Sequence, residues 1–308
     1  MASYIIDSCP ICENTAYFTI GPCDSGDVNI ENKPKKSVIA KCKECNSIYV
    51  NPMPIWSEKD FNALYNSAEE YFHPTDAWQS IRKKDIVERR FRCIGKHIRT
   101  KNKNSLEIGA GIQAYMAKYV AMKGWEVTVQ EPSTAFFEIL KEENPSFKIV
   151  NTEFLRMNSS SKYALIYIDS VLEHVPNPHE YLKKSFDLLE EGGILYFISP
   201  IEHSFKNWFK TTILRQRPVP YICPYTLSFH VIGFSKKSIR ILAKKSGLKL
   251  VKHIRRYDYD WLHILNRKES ILKYPVAIFF YFIDLFGWGC NQEILLRKEK
   301  QTKLSLNN

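Results

Sequence analysis

Two pairs of cysteines near the start of the chain have the spacing of a metal site. In Cys9-Pro-Ile-Cys12 and in Cys42-Lys-Glu-Cys45, two residues separate the thiols. One tight turn can then direct both sulfur atoms at the same ion, and two such turns complete a tetrahedral structural zinc site. Because four thiolates leave no open coordination position, we expect Zn²⁺ here to fold the N-terminus rather than to catalyse.

A glycine-rich turn follows a short apolar run. Residues 109–114 (GAGIQA) fit the pattern G-x-G-x-x-G/A, and Glu131 stands 22 residues after the first glycine. Such a turn brings the backbone close to a cofactor, while the later acid binds the hydroxyls of an adenosine ribose. This spacing fits NAD, S-adenosylmethionine, or a plain strand–helix turn that binds neither. Glu107 favours S-adenosylmethionine, because a carboxylate just before the turn suits an ammonium and a sulfonium better than a diphosphate.

The elements that must hold this turn alternate between strands and helices. We predict strands at 106–108, 126–130, 147–150, 163–168, 194–199, 248–251 and 294–296, and helices at 113–123, 134–143, 178–190 and 235–246. Such alternation predicts an α/β fold, a Rossmann-like parallel sheet with helices on both faces. Long insertions at about 200–234 and 257–290 follow strands at the carboxyl edge of the sheet, where loops select the substrate.

Changes in composition divide the chain into four predicted regions. They are a zinc-ribbon-like module over 1–54, a helical linker or cap over 55–100, a Rossmann-like cofactor domain over 101–256 with the cap insertion 200–234, and a C-terminal insertion helix with the last strand over 257–308. We interpret the aromatic run 274–288 as a core or dimer-interface helix. Contact with a membrane surface is the alternative for this run.

The chain has a net charge of +11, which favours anionic partners. Ten Lys and Arg residues lie within 82–103, against only Asp85 and Glu88. We interpret this segment as one amphipathic helix with a solvated basic face, and a phosphate-contacting face is the alternative. The sequence shows no basic region followed by an apolar block at its start and no apolar run of about 18 residues, so we expect a cytoplasmic protein.

Four blocks of sequence occur in an order typical of one family. They are CPIC…CKEC with SIYVNPMP and LYNSAEEYF, LEIGAG with VTVQEPS, YALIYIDSVLEHVPNPHEYLKKSFDLLEEGGILYFISP, and FHVIGFSKKSIRILAKKSGLKLV. On these blocks the chain resembles class I S-adenosyl-L-methionine-dependent methyltransferases, specifically the bacterial methyltransferase-domain 23 type with an N-terminal zinc-ribbon-like module. The resemblance runs from about residue 9 to 256.

The resemblance implies a role for each matched residue near the turn. Glu107 would orient the ammonium of the cofactor, and Glu131 would hold its ribose hydroxyls. The remaining candidates are the backbone of Gly109, Ala110 and Gly111 beside the methionine part, Asp169 and Ser170 beside the sulfonium, and Glu153 near the adenine amine, although a surface acid explains Glu153 equally well.

Methyl transfer to an alcohol or phenol also requires a base, and histidine is the usual one near neutral pH. His174 and His230 are our candidates, with His203 as a third. Some related quinone-pathway O-methyltransferases hold a divalent metal on an acid, a Glu and this His. Because Ser170 stands where that acid would be, we expect no catalytic metal here.

The preferred function is O-methylation of a small-molecule acceptor, one that is sugar- or phosphate-linked, and the sequence favours this over nucleic acid. Three alternatives stay open. A nucleic-acid methyltransferase would dock through the basic helix, and a sugar C-methyltransferase would use the same cofactor. A scaffold without turnover is the third, because the family usually has a third glycine where this chain has Gln113. A homodimer is an assembly that the aromatic run would support.

Overall fold

The computed structural model describes residues 2–22, 37–55, 77–201, 213, 230–256 and 273–300 of the 308-residue chain. The candidate base His203 lies outside these residues, as do most of the first insertion, residues 257–272 of the second insertion and the linker segment 56–76. Within the described residues, no helix combines the length and the apolar character needed to cross a membrane.

The described chain contains thirteen strands and six α-helices. The strands are β1 (Ala2–Tyr4), β2 (Tyr17–Pro22), β3 (Val38–Cys42), β4 (Ile48–Asn51), β5 (Met53–Ile55), β6 (Asn104–Ile108), β7 (Glu126–Gln130), β8 (Lys148–Val150), β9 (Tyr163–Asp169), β10 (Leu189–Pro200), β11 (Ile232–Gly233), β12 (Lys249–Arg256) and β13 (Asn291–Arg297). The helices are α1 (Ala77–Gly95), α2 (Tyr115–Met122), α3 (Thr134–Glu143), α4 (Pro178–Leu188), α5 (Lys236–Lys245) and α6 (Lys273–Leu285). Two 3₁₀ turns cover Phe154–Arg156 and Leu172–His174.

Seven strands form the central sheet, in the order β12-β13-β10-β9-β6-β7-β8. The predicted α/β sheet is confirmed, and β13 is its one antiparallel member, since it pairs antiparallel with both β10 and β12. The pairing places Ile198 opposite Glu293 and Pro200 opposite Asn291. The start of β13 therefore lies at the same edge as the carboxyl ends of the parallel strands, and it adds polar side chains there.

The predicted boundary between α4 and β10 is wrong by several residues. The helix ends at Leu188 rather than at 190, and the strand begins at Leu189 with a register shift before Ile194. Gly192 and Gly193, which lie between the predicted helix and the predicted strand, are both inside the observed strand. A Cβ on Gly193 would lie 3.0 Å from the carbonyl oxygen of Tyr163 on β9, so a larger residue there would require a small shift of the backbone.

The basic segment forms a shorter helix than predicted, because α1 ends at Gly95 and leaves Ile98 outside it. Val87 and Ile94 are buried, as the amphipathic pattern predicts. Phe91 packs edge-to-face on Tyr119 of α2 at a ring-centroid distance of 5.5 Å. These contacts fix α1 against the sheet and bring two of its arginines to the carboxyl edge.

The cysteine-bearing N-terminus is part of a second sheet, in the order β11-β4-β3-β2. Its edge strand β11 comes from the far side of the first insertion, about 180 residues later in the chain. Val231, just before β11, accepts a hydrogen bond from the N–H of Val50 at 3.0 Å and donates one to the carbonyl of Glu173 at 2.8 Å. The N-terminal module is thereby joined by backbone to the loop after β9.

The aromatic segment forms α6, as expected of a helix, but the core interpretation is wrong. Phe279 and Phe282 are 50% and 47% exposed, and Leu285 is 61% exposed. The helix contacts β12, yet its described side chains leave about half of their surface open to solvent.

Candidate functional site

The loop after β6 is a turn in which three residues have positive φ. The φ angles are 62° at Gly109, 58° at Gly111 and 41° at Ala114, the residue before α2. A Cβ on Gly109 would lie 2.6 Å from Cγ2 of Val171, whereas a Cβ on Gly111 would meet no atom within 4 Å. Packing therefore requires the first glycine, while the second borders open space beside the backbone.

Glu131 lies directly against this turn. Its carboxylate accepts hydrogen bonds from the N–H groups of Gly111 and Ser133, both at 2.9 Å. The side chain is buried, and burial raises its pKa to about 7 although both hydrogen bonds act in the opposite direction. The structure thus brings together the glycine turn and the acid that the 22-residue spacing paired.

Gln130 is a positioning residue of the turn that our sequence reasoning missed. Its Oε1 accepts a hydrogen bond from the N–H of Gly109 at 3.1 Å, and its Nε2 donates to the carbonyl of Thr152. The amide therefore ties the turn to the loop after β8. A polar residue at the end of an apolar strand, directly before Glu131, was the available signal.

Glu107 is buried beneath the turn, at 6% exposure. Its Oε2 accepts a hydrogen bond from the N–H of Ala117 in the first turn of α2, at 2.6 Å. Burial raises the pKa of Glu107 to about 8, and the nearby Asp169 acts in the same direction. The carboxyl group therefore stabilises the start of α2, and its contact with a cofactor ammonium stays a prediction.

Asp169 is the last residue of β9 and Ser170 follows it, at the same edge of the sheet. Asp169 accepts hydrogen bonds from Arg90 at 2.8 Å and from the hydroxyl of Tyr167 at 3.1 Å. Ser170 has a φ of 57° and donates to the other carboxylate oxygen of Asp169 at 3.1 Å. The predicted pair is thus held by a guanidinium from α1 that the sequence did not reveal.

Three arginines converge on one buried glutamate beside this pair. Glu293 of β13 is 3.1 Å from Arg89, 3.3 Å from Arg90 and 3.6 Å from Arg256. Burial alone would raise the pKa of Glu293, but the three guanidiniums outweigh it and hold that pKa below its usual value. Together with Asp169, the cluster sets three positive charges against two negative ones at the carboxyl edge.

Glu173, His174 and His230 form a second polar group at this edge. The two imidazole rings meet edge-to-face with centroids 4.8 Å apart, and Nε2 of His230 lies 4.0 Å from Glu173. Glu173 is buried, its pKa is raised to about 8 by burial, and neither carboxylate oxygen has a hydrogen-bond partner within the described residues. Since one ligand atom from each residue lies within 4.8 Å of the others, the group can move protons or bind a divalent ion.

The four cysteines of the N-terminal module come together as predicted. The Sγ atoms of Cys9 and Cys45 are 3.6 Å apart, those of Cys12 and Cys42 are 3.4 Å apart, and all four lie within 4.8 Å of one another. A tetrahedral zinc ion with Zn–S bonds of about 2.3 Å would separate its sulfur atoms by roughly 3.8 Å. The geometry of the four thiols therefore fits zinc.

Both cysteine turns bend through a left-handed residue that is not glycine. Glu13 and Asn46, each next to the second cysteine of its pair, have φ angles of 65° and 58°. The Glu13 side chain forms an ion pair with Lys245 of α5 at 2.6 Å. The second turn is linked to α5 as well, because the Ser235 hydroxyl donates to the carbonyl of Cys45.

Glu153 and Gln113 are the two remaining residues that the sequence singled out. Glu153 precedes the 3₁₀ turn Phe154–Arg156 with an exposed side chain, and its carbonyl accepts hydrogen bonds from Arg156 and Met157. Gln113 is half-buried between Gly111 and α2. The adenine contact of Glu153 and the crowding by Gln113 stay predictions.

Comparison with known proteins gives one family. A family model described as a methyltransferase domain matches residues 78–253, more than half of the chain. The ubiquinone biosynthesis O-methyltransferase of Coxiella burnetii (strain RSA 493 / Nine Mile phase I) is 25% identical over 152 residues, which cover 47% of this chain and 63% of that protein. The chain therefore spans less than two-thirds of the length of this curated relative.

Solved structures give more distant likenesses. The N-methyltransferase NodS from Bradyrhizobium japonicum, in complex with S-adenosyl-L-homocysteine, is 16% identical and aligns over 77% of this chain and 99% of that one, with a TM-score of 0.49. The geranyl diphosphate C-methyltransferase from Streptomyces coelicolor is 12% identical and aligns over 68% and 77%, with a TM-score of 0.46.

Proposed function

The chain belongs to the methyltransferase domain family, and from this we propose that it transfers the methyl group of S-adenosylmethionine to an oxygen atom of a small-molecule acceptor. The observation that carries the cofactor assignment is the hydrogen bond between the Gly111 N–H and Glu131. It places an acid that can bind ribose hydroxyls against a turn whose second glycine borders open space. When bound, S-adenosylmethionine supplies an activated methyl group, because its carbon–sulfur bond breaks with both electrons left on sulfur.

The histidine pair supports the choice of an oxygen acceptor. A hydroxyl must lose its proton as its oxygen bonds to the methyl carbon, and His174 or His230 would accept that proton. Both lie at the carboxyl edge, in the loop after β9 and at the end of the first insertion. Positioning of the acceptor supplies the remainder of the rate enhancement.

The arginine cluster supports an acceptor with an anionic group, such as a phosphate-linked sugar. Arg89 and Arg256 are 29% and 33% exposed, and both share Glu293 with the more buried Arg90. A phosphate or carboxylate of the acceptor would balance the excess positive charge at this edge.

We assign Zn²⁺ to the four cysteines in a structural role. Two observations support this assignment. The Sγ–Sγ distances within the pairs Cys9–Cys45 and Cys12–Cys42 are close to those of a tetrahedral zinc site, and three of the four cysteines are buried. These thiols lie in the N-terminal module and are separate from the group of Glu173 and the two histidines.

Calorimetric titration of zinc-loaded protein with S-adenosylhomocysteine, with NAD in a parallel cell, tests the cofactor assignment. We expect saturable binding of the adenosyl ligand and none of NAD. The variant Gln113→Gly restores the third glycine and should bind at least as tightly. Binding of neither ligand would contradict the enzyme and favour the scaffold, and binding of NAD alone would contradict the assignment of the turn.

A screen with methyl-labelled cofactor and panels of phenols, sugars and nucleotide sugars tests the acceptor chemistry. For an acceptor that is found, His174→Gln or His230→Gln should lower the transfer rate by about a hundredfold. Affinity for S-adenosylhomocysteine should stay unchanged in both variants. Loss of activity on chelation, with restoration by a divalent ion at constant zinc content, would instead assign Glu173 and the histidines to a metal.

A further inference from the structure

The C-terminal insertion presents an apolar face that the proposed reaction does not use. Eight large side chains of α6 and the residues that follow it are between 43% and 61% exposed: Tyr274, Ile278, Phe279, Tyr281, Phe282, Leu285, Phe286 and Trp288. Because neighbours on a helix surface are three or four residues apart, the members within α6 form one continuous stripe. We call this set the aromatic face.

The aromatic face is large for a soluble monomer. A fully exposed side chain of this size offers about 200 Å², so half exposure of eight of them amounts to roughly 800 Å². The largest apolar patch of a typical monomer is about 300–600 Å², and larger patches mark interaction sites. The exposed area of the aromatic face therefore marks it as an interaction site.

We propose that the aromatic face binds the surface of an acidic phospholipid bilayer, with α6 lying parallel to the membrane. Tyr and Trp side chains favour the boundary between lipid headgroups and acyl chains, where Phe, Ile and Leu can reach the apolar layer. A helix of 13 residues is about 20 Å long, too short to cross a hydrocarbon core of about 30 Å. The face therefore lies on the bilayer and does not span it.

Charge decides between a membrane and a second copy of the chain. A symmetric dimer through the aromatic face would bring together two molecules that each have a net charge of +11. Strand β12 contacts α6 and ends with Arg255 and Arg256, and Gly289, directly after the face, packs against Arg256. Acidic headgroups offer the opposite charge, at about 1 kcal/mol for each basic residue near the surface.

The aromatic face is fixed to the edge of the sheet where the acceptor would react. A Cβ on Gly289, directly after the face, would lie 2.0 Å from the backbone carbonyl carbon of Arg256, so the chain is pressed against the end of β12. Arg256 in turn reaches Glu293 in the arginine cluster. A molecule held in the membrane would thus meet the carboxyl edge beside the cluster.

Vesicle co-sedimentation tests the proposal without any acceptor, so its failure would leave the proposed reaction untouched. We expect the protein to sediment with vesicles made of about equal parts of phosphatidylglycerol and phosphatidylcholine, and much less with vesicles of phosphatidylcholine alone. The variant Phe279→Ser with Phe282→Ser should lower the partition coefficient about a hundredfold, roughly tenfold for each ring.

The matched control is Phe18→Ser, which removes a ring of similar exposure, 45%, from the N-terminal module. It should bind vesicles like the unchanged protein. Equal sedimentation of the α6 double variant and the control would overturn the proposal, as would absence of sedimentation with acidic vesicles. A concentration-dependent dimer that the double variant abolishes, without vesicle binding, would assign the face to a second copy.

Fluorescence provides a second measurement that needs no disruptive variant. Lipids brominated on their acyl chains should quench the fluorescence of Trp288. The variant Trp288→Phe keeps an apolar aromatic ring at this position, so it should still bind vesicles but lose this part of the quenching. Quenching that is the same in both proteins would place Trp288 away from the bilayer and contradict the orientation of α6.

Discussion

Replacing Gly111 by alanine separates the role of the turn in binding from its role in folding. The residue has a φ of 58°, and a Cβ there would meet no protein atom within 4 Å. The folded state therefore carries only the cost of a left-handed alanine, about 1–2 kcal/mol, from which a less flexible unfolded chain subtracts about 0.4–1 kcal/mol. We expect Gly111→Ala to lower the free energy of unfolding by about 1 kcal/mol.

The same methyl group would project into the space that we assign to the cofactor. Overpacking by one methyl group costs about 1–3 kcal/mol, which corresponds to a roughly ten- to hundredfold increase in the Kd for S-adenosylhomocysteine. Calorimetry measures this Kd, and urea denaturation measures the change in stability.

Gly124→Ala is the matched control, because Gly124 has a φ of 75°, equally open surroundings, and a position at the opposite edge of the sheet. It should lose a similar amount of stability and keep its affinity for the ligand. If Gly111→Ala binds S-adenosylhomocysteine as tightly as Gly124→Ala does, the cofactor does not occupy the space beside the turn and our reasoning is refuted.

Three further predictions test other parts of the structure. Cys42→Ser removes one of the four converging thiols. The zinc content, measured by atomic absorption, should fall from about one equivalent toward zero, and Tm should drop. Full retention of zinc would contradict the site. Burial raises the pKa of Glu107 to about 8 from 4.5, so the folded protein binds the extra proton and stability falls as pH rises from about 4.5 to 8. Glu107→Gln keeps an acceptor for the Ala117 N–H and should flatten this dependence in urea denaturation at pH 5 and pH 8, whereas an unchanged slope would assign it to other groups. Glu293→Gln leaves the three arginines without their shared buried carboxylate and should lower the free energy of unfolding by about 3 kcal/mol in the same assay. Lys118→Ala, in an exposed ion pair, should cost less than about 1 kcal/mol. Equal losses would show that the cluster is not a stabilising network.

Local chemistry made the turn and the cysteine site predictable. The positive φ at Gly109 and Gly111, and the pairing of the turn with Glu131, follow from what a tight strand–helix turn requires of its residues. Two CxxC turns likewise direct their thiols inward wherever the module sits. In both cases, the residues that contact one another in the structure are the residues whose spacing in the sequence led to the prediction.

The arginine cluster could not be predicted, because its partners are set by the order of strands. Arg90 lies 203 residues before Glu293, and the two meet only because β13 inserts antiparallel beside β10. The basic segment offered no means of distinguishing Arg90, whose side chain is only 12% exposed, from the more exposed arginines around it. The predicted end of α4 was wrong for a related reason. Pairing with β9 extends β10 toward the N-terminus, through residues that the sequence pattern assigned to the end of the helix.

The backbone hydrogen bonds of Val231 restrict which deletions this chain can tolerate. The N-terminal strands and the segment around β11 are far apart in sequence, yet they complete each other's hydrogen bonding. The Val50 N–H donates to the Val231 carbonyl, and β11 pairs antiparallel with β4. A shortened descendant without the first 54 residues would leave the backbone groups of 231–233 as a bare strand edge beside the histidines. We therefore expect the two segments to be gained or lost together in evolution, although they are separated in the sequence.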